Sequence, residues 1–157
     1  MHRWFLLVAV AACGGGDDAG DPGSCLPDGF AEGESVIGGV PLGPFVRAGV
    51  IANELGSALV FDEQAAACGE HVSAGRHLVI QLCAPPEPKA YRVVGRQLFR
   101  CPGDDVLAFV EEDALDVAVA TTGTLTIDDA AGCVRGSYTV EFNGETIGGV
   151  FDAVACE

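Results

Sequence analysis

Residues 133–156, which read CVRGSYTVEFNGETIGGVFDAVAC, decide the fold that we predict for this chain. Asn143-Gly144 at their centre is the preferred residue pair of a two-residue type I′ turn. A hairpin centred on that turn has five opposed pairs that matter here: Val134 with Ala153, Gly136 with Phe151, Tyr138 with Gly149, Val140 with Ile147 and Phe142 with Glu145. Because the side chains of a strand alternate between its two faces, this register sorts the residues by polarity.

One face of the predicted hairpin is apolar and collects Val134, Tyr138, Val140, Ile147 and Phe151. The other face is polar and collects Arg135, Ser137, Thr139, Glu141, Thr146 and Asp152. The turn and the alternation agree, and their agreement fixes the register. Gly136 opposite Phe151 leaves space for the ring to lie across the strand.

The chain from Cys25 to the hairpin also consists of short apolar or alternating runs, which glycine and proline separate. The predicted strands before the hairpin are Ser35–Val40, Phe45–Ile51, Ala58–Asp62, His77–Cys83, Tyr91–Leu98, Val106–Glu111, Ala114–Ala118 and Gly123–Asp128, and the hairpin itself adds Val134–Phe142 and Thr146–Ala155. A single helical turn or two is predicted at Glu63–Glu70. The fold class is therefore all-β, an antiparallel β-sandwich or barrel-like domain.

The charge of the chain limits its partners. Acidic residues number 23 against 8 basic ones, a formal net charge of −15. Such a field repels phosphate backbones and anionic lipid headgroups, so we expect no nucleic-acid partner, and we expect any membrane attachment to be covalent.

The first residues indicate export. Met1-His2-Arg3 is a short basic start, and nine uncharged residues from Trp4 to Ala12 follow it, as in a signal peptide. Nine helical residues rise only about 14 Å, which is too short for a permanent membrane span. Val10-Ala11-Ala12-Cys13 resembles the bacterial lipobox, in which the cysteine thiol takes a diacylglycerol.

Three segments follow from this resemblance. Residues 1–12 are the expected lipoprotein signal peptide, residues 13–24 a disordered Gly/Asp tether that begins at the lipidated Cys13, and residues 25–157 the β domain. An acylated Cys13 implies a lipid bilayer as partner and the cell envelope as location. Gly14, rather than aspartate, after the cysteine favours the outer membrane over the inner one.

The cysteine count fits an exported domain. Once Cys13 is set aside, an even number remains as disulfide candidates: Cys25, Cys68, Cys83, Cys101, Cys133 and Cys156. Their spacing matches no zinc motif, so no metal or other cofactor is predicted. Fifteen connectivities are possible. We favour Cys133 with Cys156, which are diagonal neighbours in the hairpin and need a bulge at Gly148-Gly149 to meet.

The C-terminal half resembles uncharacterised bacterial lipoproteins with a β-sandwich domain. The residues that carry the likeness are GTLTID at 123–128, CVRGSY at 133–138 and GVFDAVAC at 149–156. The resemblance implies a small disulfide-bonded β-sandwich and no particular activity.

Candidate chemistry is sparse. His71 and His77 could join Glu70 or Asp62 at a metal, but no metal-binding spacing is present, and we interpret both histidines as solvated loop and strand-start residues. The acids at Asp104-Asp105, Glu111-Glu112-Asp113 and Asp128-Asp129 could bind calcium or serve a glycosidase, and we interpret them as turn-forming or solvated. No catalytic residues are assigned.

We therefore expect a lipid-anchored, non-catalytic binding or structural module. A calcium-dependent adhesion or assembly module is the alternative, and a secreted hydrolase using the acids or His71 and His77 is a further one. A pocket that gathers these side chains would favour the hydrolase.

Overall fold

Twelve β-strands and no helix are formed by the residues that the computed structural model describes, which are 25–26, 29–64, 75–113 and 115–156. The strands in chain order are β1 (Phe30–Ala31), β2 (Ser35–Ile37), β3 (Val40–Leu42), β4 (Arg47–Asn53), β5 (Gly56–Asp62), β6 (Arg76–Leu82), β7 (Lys89–Val94), β8 (Asp105–Glu112), β9 (Leu115–Val119), β10 (Thr122–Asp129), β11 (Cys133–Phe142) and β12 (Glu145–Cys156). Nine of the ten predicted strands are found, although the one predicted at Tyr91–Leu98 ends at Val94, where a turn begins. The predicted strand Ser35–Val40 is interrupted by a turn at Gly38-Gly39, so its ends belong to β2 and β3.

Eight of these strands close into a barrel in the order β4-β5-β6-β8-β7-β10-β11-β12. The barrel closes where β12 pairs in parallel with β4, through Val154 opposite Gly49 and Cys156 opposite Ile51. A second parallel pair joins β7 to β8, so the sheet is mixed. The predicted all-β domain is confirmed, and of the two predicted architectures the barrel is the one that forms.

The last hairpin has the predicted register at every opposed pair, from Val134 with Ala153 to Phe142 with Glu145. Asn143 and Gly144 both have positive φ, at 54° and 93°, as a type I′ turn requires. The predicted apolar face is buried in the core, whereas Asp152 on the other face is also buried because β1 pairs beside it and Arg135 bonds its carboxylate.

Aromatic rings fill the middle of the core. Phe61 lies within 5.8 Å of the ring centre of Phe45, 4.9 Å of Tyr138 and 5.4 Å of Phe151. The Tyr138 hydroxyl donates a 2.7 Å hydrogen bond to the carbonyl of Glu32. Burial, followed by the charge of Glu32, raises the pKa of Tyr138 above its ordinary value.

Arg76 holds the β2–β3 hairpin to the barrel together with two contacts to β12, in which the Ser35 hydroxyl donates to the carbonyl of Thr146 and the amide of Gly38 donates to Glu145. The buried Arg76 guanidinium donates to the carbonyls of Val40 at 2.9 Å, Pro41 at 2.8 Å and Ile37 at 3.3 Å. Ile37 and Leu42 belong to the hydrophobic core. The hairpin therefore contributes apolar side chains to the core, and the arginine satisfies carbonyls that would otherwise lose their solvent.

Disulfide bonds are present, as predicted for an exported domain. Cys25 is joined to Cys133 and Cys83 to Cys101, and Cys156 is also disulfide-bonded. The predicted Cys133–Cys156 pair is wrong. The register through Gly148-Gly149 is regular, so the bulge that this pair needed does not form.

Two further cysteines lie outside the described residues. These are Cys13, the predicted lipid site, and Cys68, a predicted disulfide partner. The predicted signal peptide and tether, and all of the predicted helix beyond Gln64, also lie outside them.

Gly136 is required by its close contact with the backbone of β10. A Cβ atom on Gly136 would collide with the backbone carbonyl oxygen of Thr126 on β10. We expect Gly136→Ala to lower the free energy of unfolding by about 1–3 kcal/mol, the range for overpacking a closely packed site. Urea unfolding measures the loss. Gly95→Ala is the control, since its Cβ would meet nothing nearer than 3.9 Å, and equal stabilities of the two variants would contradict the assignment.

Candidate functional site

A cavity of about 460 Å³ lies on the outer face of the barrel, across strands β4, β5, β6 and β8. All seven residues of β6 are buried, so this strand is covered on its outer face as well as on its core face. The described residues that line the cavity are Ile51, Ala52, Asn53, Ala58, Val60, His77, Val79, Gln81, Phe109, Glu111 and Cys156. Strand register arranges most of them in rows that cross the sheet.

One row, which we call the charged row, consists of Arg47, Asp62, His77 and Glu111. Strand pairing sets Arg47 opposite Asp62, Asp62 opposite His77, and His77 opposite Glu111. Directly opposite residues have Cβ atoms about 4.5–5.5 Å apart, so each side chain in the row is within reach of the next. Four ionisable groups from four strands therefore lie in one row, and two of them, His77 and Glu111, line the cavity.

The contacts in the charged row centre on Asp62. Nδ1 of His77 lies 2.6 Å from Asp62 Oδ1, and Nη1 of Arg47 lies 3.5 Å from Asp62 Oδ2. A carboxylate can only accept, so the hydrogen of a neutral His77 ring is on Nδ1. Arg47, Asp62 and His77 are all buried, at 3%, 5% and 3% exposure, whereas Glu111 is half-buried.

The next row along the strands is apolar. Val60 lies opposite Val79, and Val79 opposite Phe109, so three apolar side chains cross the floor of the cavity. In β4 the corresponding position is Gly49, opposite Val60. A Cβ atom there would lie 2.9 Å from Cys156 Sγ, so the glycine makes room for the cysteine at the cavity wall.

A pair of amides closes the other edge. Asn53 Nδ2 donates to Gln81 Oε1 at 2.8 Å, and Gln81 Nε2 donates back to Asn53 Oδ1 at 3.2 Å. Gln81 Nε2 also donates to the carbonyls of Ser57 and Leu82. The cavity thus has an amide edge whose polar groups are bonded to one another, an apolar floor, and the charged row opposite.

The structure brings together three of the residues that the sequence singled out as candidate chemistry, Asp62, His77 and Glu111. His77 was predicted as a solvated strand start, and this is wrong, because it is buried in β6 against Asp62. Glu111, one of the predicted solvated acids, lines the cavity. His71 and Glu70 lie outside the described residues.

The remaining acids are spread over the surface. Asp104 contacts Lys89, Asp105 pairs with Arg92, Asp113 and Asp128 are exposed, and Asp129 accepts from the amide of Ala131 in a turn. Among the described residues, no three histidine, cysteine, aspartate or glutamate side chains are grouped as a metal would need.

Arg47, Asn53, Gln81 and Phe109 were not singled out from the sequence. The signal for Gln81 was present, since His77, Val79 and Gln81 alternate within an otherwise apolar strand and so share a face. Arg47 likewise interrupts the apolar run from Phe45 to Ile51. A polar residue inside a strand that is buried on both faces indicates an internal contact or a site.

The Asp62–His77 pair has the geometry in which a carboxylate orients a general base. Covalent catalysis also needs a nucleophilic side chain, and the described lining residues include no serine, threonine or tyrosine. The sulfur of Cys156 is held in a disulfide. Arg47 donates to that sulfur at 3.2 Å and also forms an ion pair with Asp62. It therefore links the Asp62–His77 pair to β12, the strand that closes the barrel.

Comparison with known proteins finds no match of any kind: no family model, no curated protein and no solved structure. The resemblance of the C-terminal half to bacterial lipoproteins stays a prediction. In the part of the chain that the structure describes, no helix is long and apolar enough to cross a membrane.

Breaking the charged row at Asp62 tests its contribution to stability. We expect Asp62→Asn to lower the free energy of unfolding by about 3–5 kcal/mol, because the buried Arg47 then loses the charge that compensates it. Denaturant unfolding measures the change. Asp105→Asn, which removes the ion pair with the exposed Arg92, should cost less than about 1 kcal/mol. Equal losses in both variants would show that Asp62 does not compensate a buried charge.

Proposed function

We propose that this chain is an exported lipoprotein, anchored in the cell envelope through an acylated Cys13, whose barrel binds a small apolar molecule. The observation that carries the binding function is the cavity of about 460 Å³ on the outer face of the barrel. Small-molecule sites typically occupy about 300–1,000 Å³, with mainly apolar walls and a few polar groups that orient the ligand. An apolar floor between an amide edge and a charged row fits this description.

Binding without catalysis is the activity that the site supports best. A hydrolase that works through a covalent intermediate would need a nucleophilic side chain beside His77, and the described lining residues include no serine, threonine or tyrosine. A calcium-dependent module would need several oxygen ligands within about 2.3–2.6 Å of one point. The carboxylate nearest to His77, that of Asp62, is instead bonded to Arg47 and to the ring.

The binding function can be tested with diphenylhexatriene, an uncharged rod-shaped probe that fluoresces when it leaves water. We expect the full-length chain carrying Cys13→Ser, which has no acyl chains to compete, to bind the probe. Val79→Trp should weaken this binding at least tenfold, because Val79 lies on the cavity floor and the indole fills it. Val150→Trp is the matched control, since Val150 is exposed on β12 and does not line the cavity.

Circular dichroism and the thermal transition establish that each variant is folded. If Val79→Trp does not fold, Ile51→Trp places the same indole at another lining position. Failure of the parent chain to bind the probe would refute the binding function. So would equal affinities of the folded cavity variant and Val150→Trp.

The anchor has a separate test. We expect Cys13→Ser to abolish incorporation of an alkyne-tagged fatty acid in the native host and to release the protein from the membrane fraction. Cys25→Ser, twelve residues further along the chain, should keep the label. Labelling that survives Cys13→Ser would contradict the anchor and leave the binding function standing.

A further inference from the structure

We infer that Cys156 is joined by a disulfide bond to Cys68, and that this pairing leaves the sulfur of Cys13 for the acyl chain. The inference rests in part on the proposed anchor, which requires one cysteine of the chain to stay out of the disulfides. Three observations support it: the number of bonded cysteines, the position of the Cys156 sulfur, and the lengths of chain that lead to the two possible partners.

Disulfide bonds use cysteines in pairs, and the bonded cysteines among the described residues are odd in number. They are Cys25, Cys83, Cys101, Cys133 and Cys156. The first four are bonded to one another, Cys25 to Cys133 and Cys83 to Cys101. The partner of Cys156 within this chain is therefore one of the two remaining cysteines, Cys13 or Cys68.

The Cys156 sulfur lies near the end of β5. Arg47 donates to it through Nη2 at 3.2 Å, and Nη1 of the same guanidinium lies 3.5 Å from Asp62 Oδ2. Asp62 is the last residue of β5, and Cys68 follows it by six residues. Six residues can span about 20 Å, whereas a single planar guanidinium separates the sulfur from the Asp62 carboxylate. Cys68 is therefore within reach of Cys156 through a short length of chain.

Cys13 is the weaker candidate on chemical and on entropic grounds. A cysteine thiol that takes a diacylglycerol becomes a thioether, and a thioether cannot form a disulfide. Cys13 also precedes Cys25, which is fixed to β11 by its own disulfide, by twelve residues. The entropy lost on closing a loop grows with the length of the loop, so the shorter connection from Asp62 favours Cys68.

The proposed bond crosses the strand pairing that closes the barrel. Cys156 lies opposite Ile51 in the parallel pairing of β12 with β4, and β5 is the next strand after β4 in the sheet. A bond from Cys156 to the chain that follows β5 makes the closure of the barrel covalent. It forms when two thiols give up two protons and two electrons to a disulfide oxidant, which becomes a dithiol, in the oxidising compartment that export implies.

Peptide mapping without reduction tests the pairing in the unsubstituted chain, purified from membranes of the native host. The protein is denatured, its free thiols are blocked with N-ethylmaleimide, and it is digested with trypsin. Cleavage after arginine and lysine separates the relevant cysteines: fragment 48–76 contains Cys68, fragment 136–157 contains Cys156, and Cys13 lies in a fragment that ends at Arg47. We expect fragments 48–76 and 136–157 to be recovered as one linked species, lighter than their sum by two hydrogens, which reduction separates.

Two serine substitutions give an independent readout. In Cys68→Ser, fragment 136–157 should carry one maleimide, because Cys156 loses its partner. Cys83→Ser is the matched control, since it breaks the bond to Cys101 and should label fragment 101–135 while fragment 136–157 stays unlabelled. If either variant does not fold, the map of the unsubstituted chain decides the pairing.

The outcomes separate the pairing from the anchor. Fragment 136–157 linked to the fragment that ends at Arg47, or carrying a maleimide in the unsubstituted chain, would overturn the pairing with Cys68. Linked fragments 48–76 and 136–157 together with a maleimide on Cys13 would refute the anchor and leave the pairing in place.

Discussion

The parallel pairing of β12 with β4 is the constraint on which the rest of this structure depends. Without it the sheet would be open, with two long edges and an apolar face exposed to water. Because it closes the sheet, the core-facing residues of eight strands enclose one common interior around Phe61. It also carries Cys156 to the position beside Gly49, where the cysteine becomes part of the cavity wall. Residues that close the barrel, such as Cys156 and Ile51, therefore also line the candidate site.

The local features of the fold were predictable from sequence. Asn143-Gly144 specifies a turn, and the alternation on both sides of it leaves one register that buries the apolar residues. Most of the other strands were recognisable because they are short apolar runs between turn residues, whereas the two-residue β1 was not predicted. These signals act over a few residues, so they are visible without knowledge of the fold.

The pairings between distant parts of the chain were not predictable, because no signal within a few residues specifies them. Nothing near Gly49 indicates that Val154 will lie beside it, and nothing near Cys133 indicates Cys25 as its partner, which is 108 residues away. The charged row depends on three strand pairings, two between strands consecutive in the chain and one that joins β6 to β8. His77 was therefore recognised as a residue of interest but misinterpreted as solvated, because burial on the outer face of β6 follows from the assembled sheet.

The charged row also shows how a barrel can hold polar chemistry outside its core. Arg47, Asp62 and His77 are buried, yet none points into the apolar interior, because the alternation along each strand turns them outward. The interior can then be filled by apolar side chains and packed tightly, while the outer face of four strands differs in polarity from one row to the next. The hydrophobic core and the candidate site thus lie on opposite faces of the same strands.

The Cys25–Cys133 bond has a mechanical consequence. A pull on the chain before Cys25 does not have to pass through β1, which is two residues long and holds to the barrel through a single short pairing. The bond transfers the tension directly to the first residue of β11, a strand of ten residues that is paired along its length with β10 and β12. Whatever holds this protein by its N-terminal segment therefore holds it by an interior strand of the sheet, and the barrel resists that force as one body.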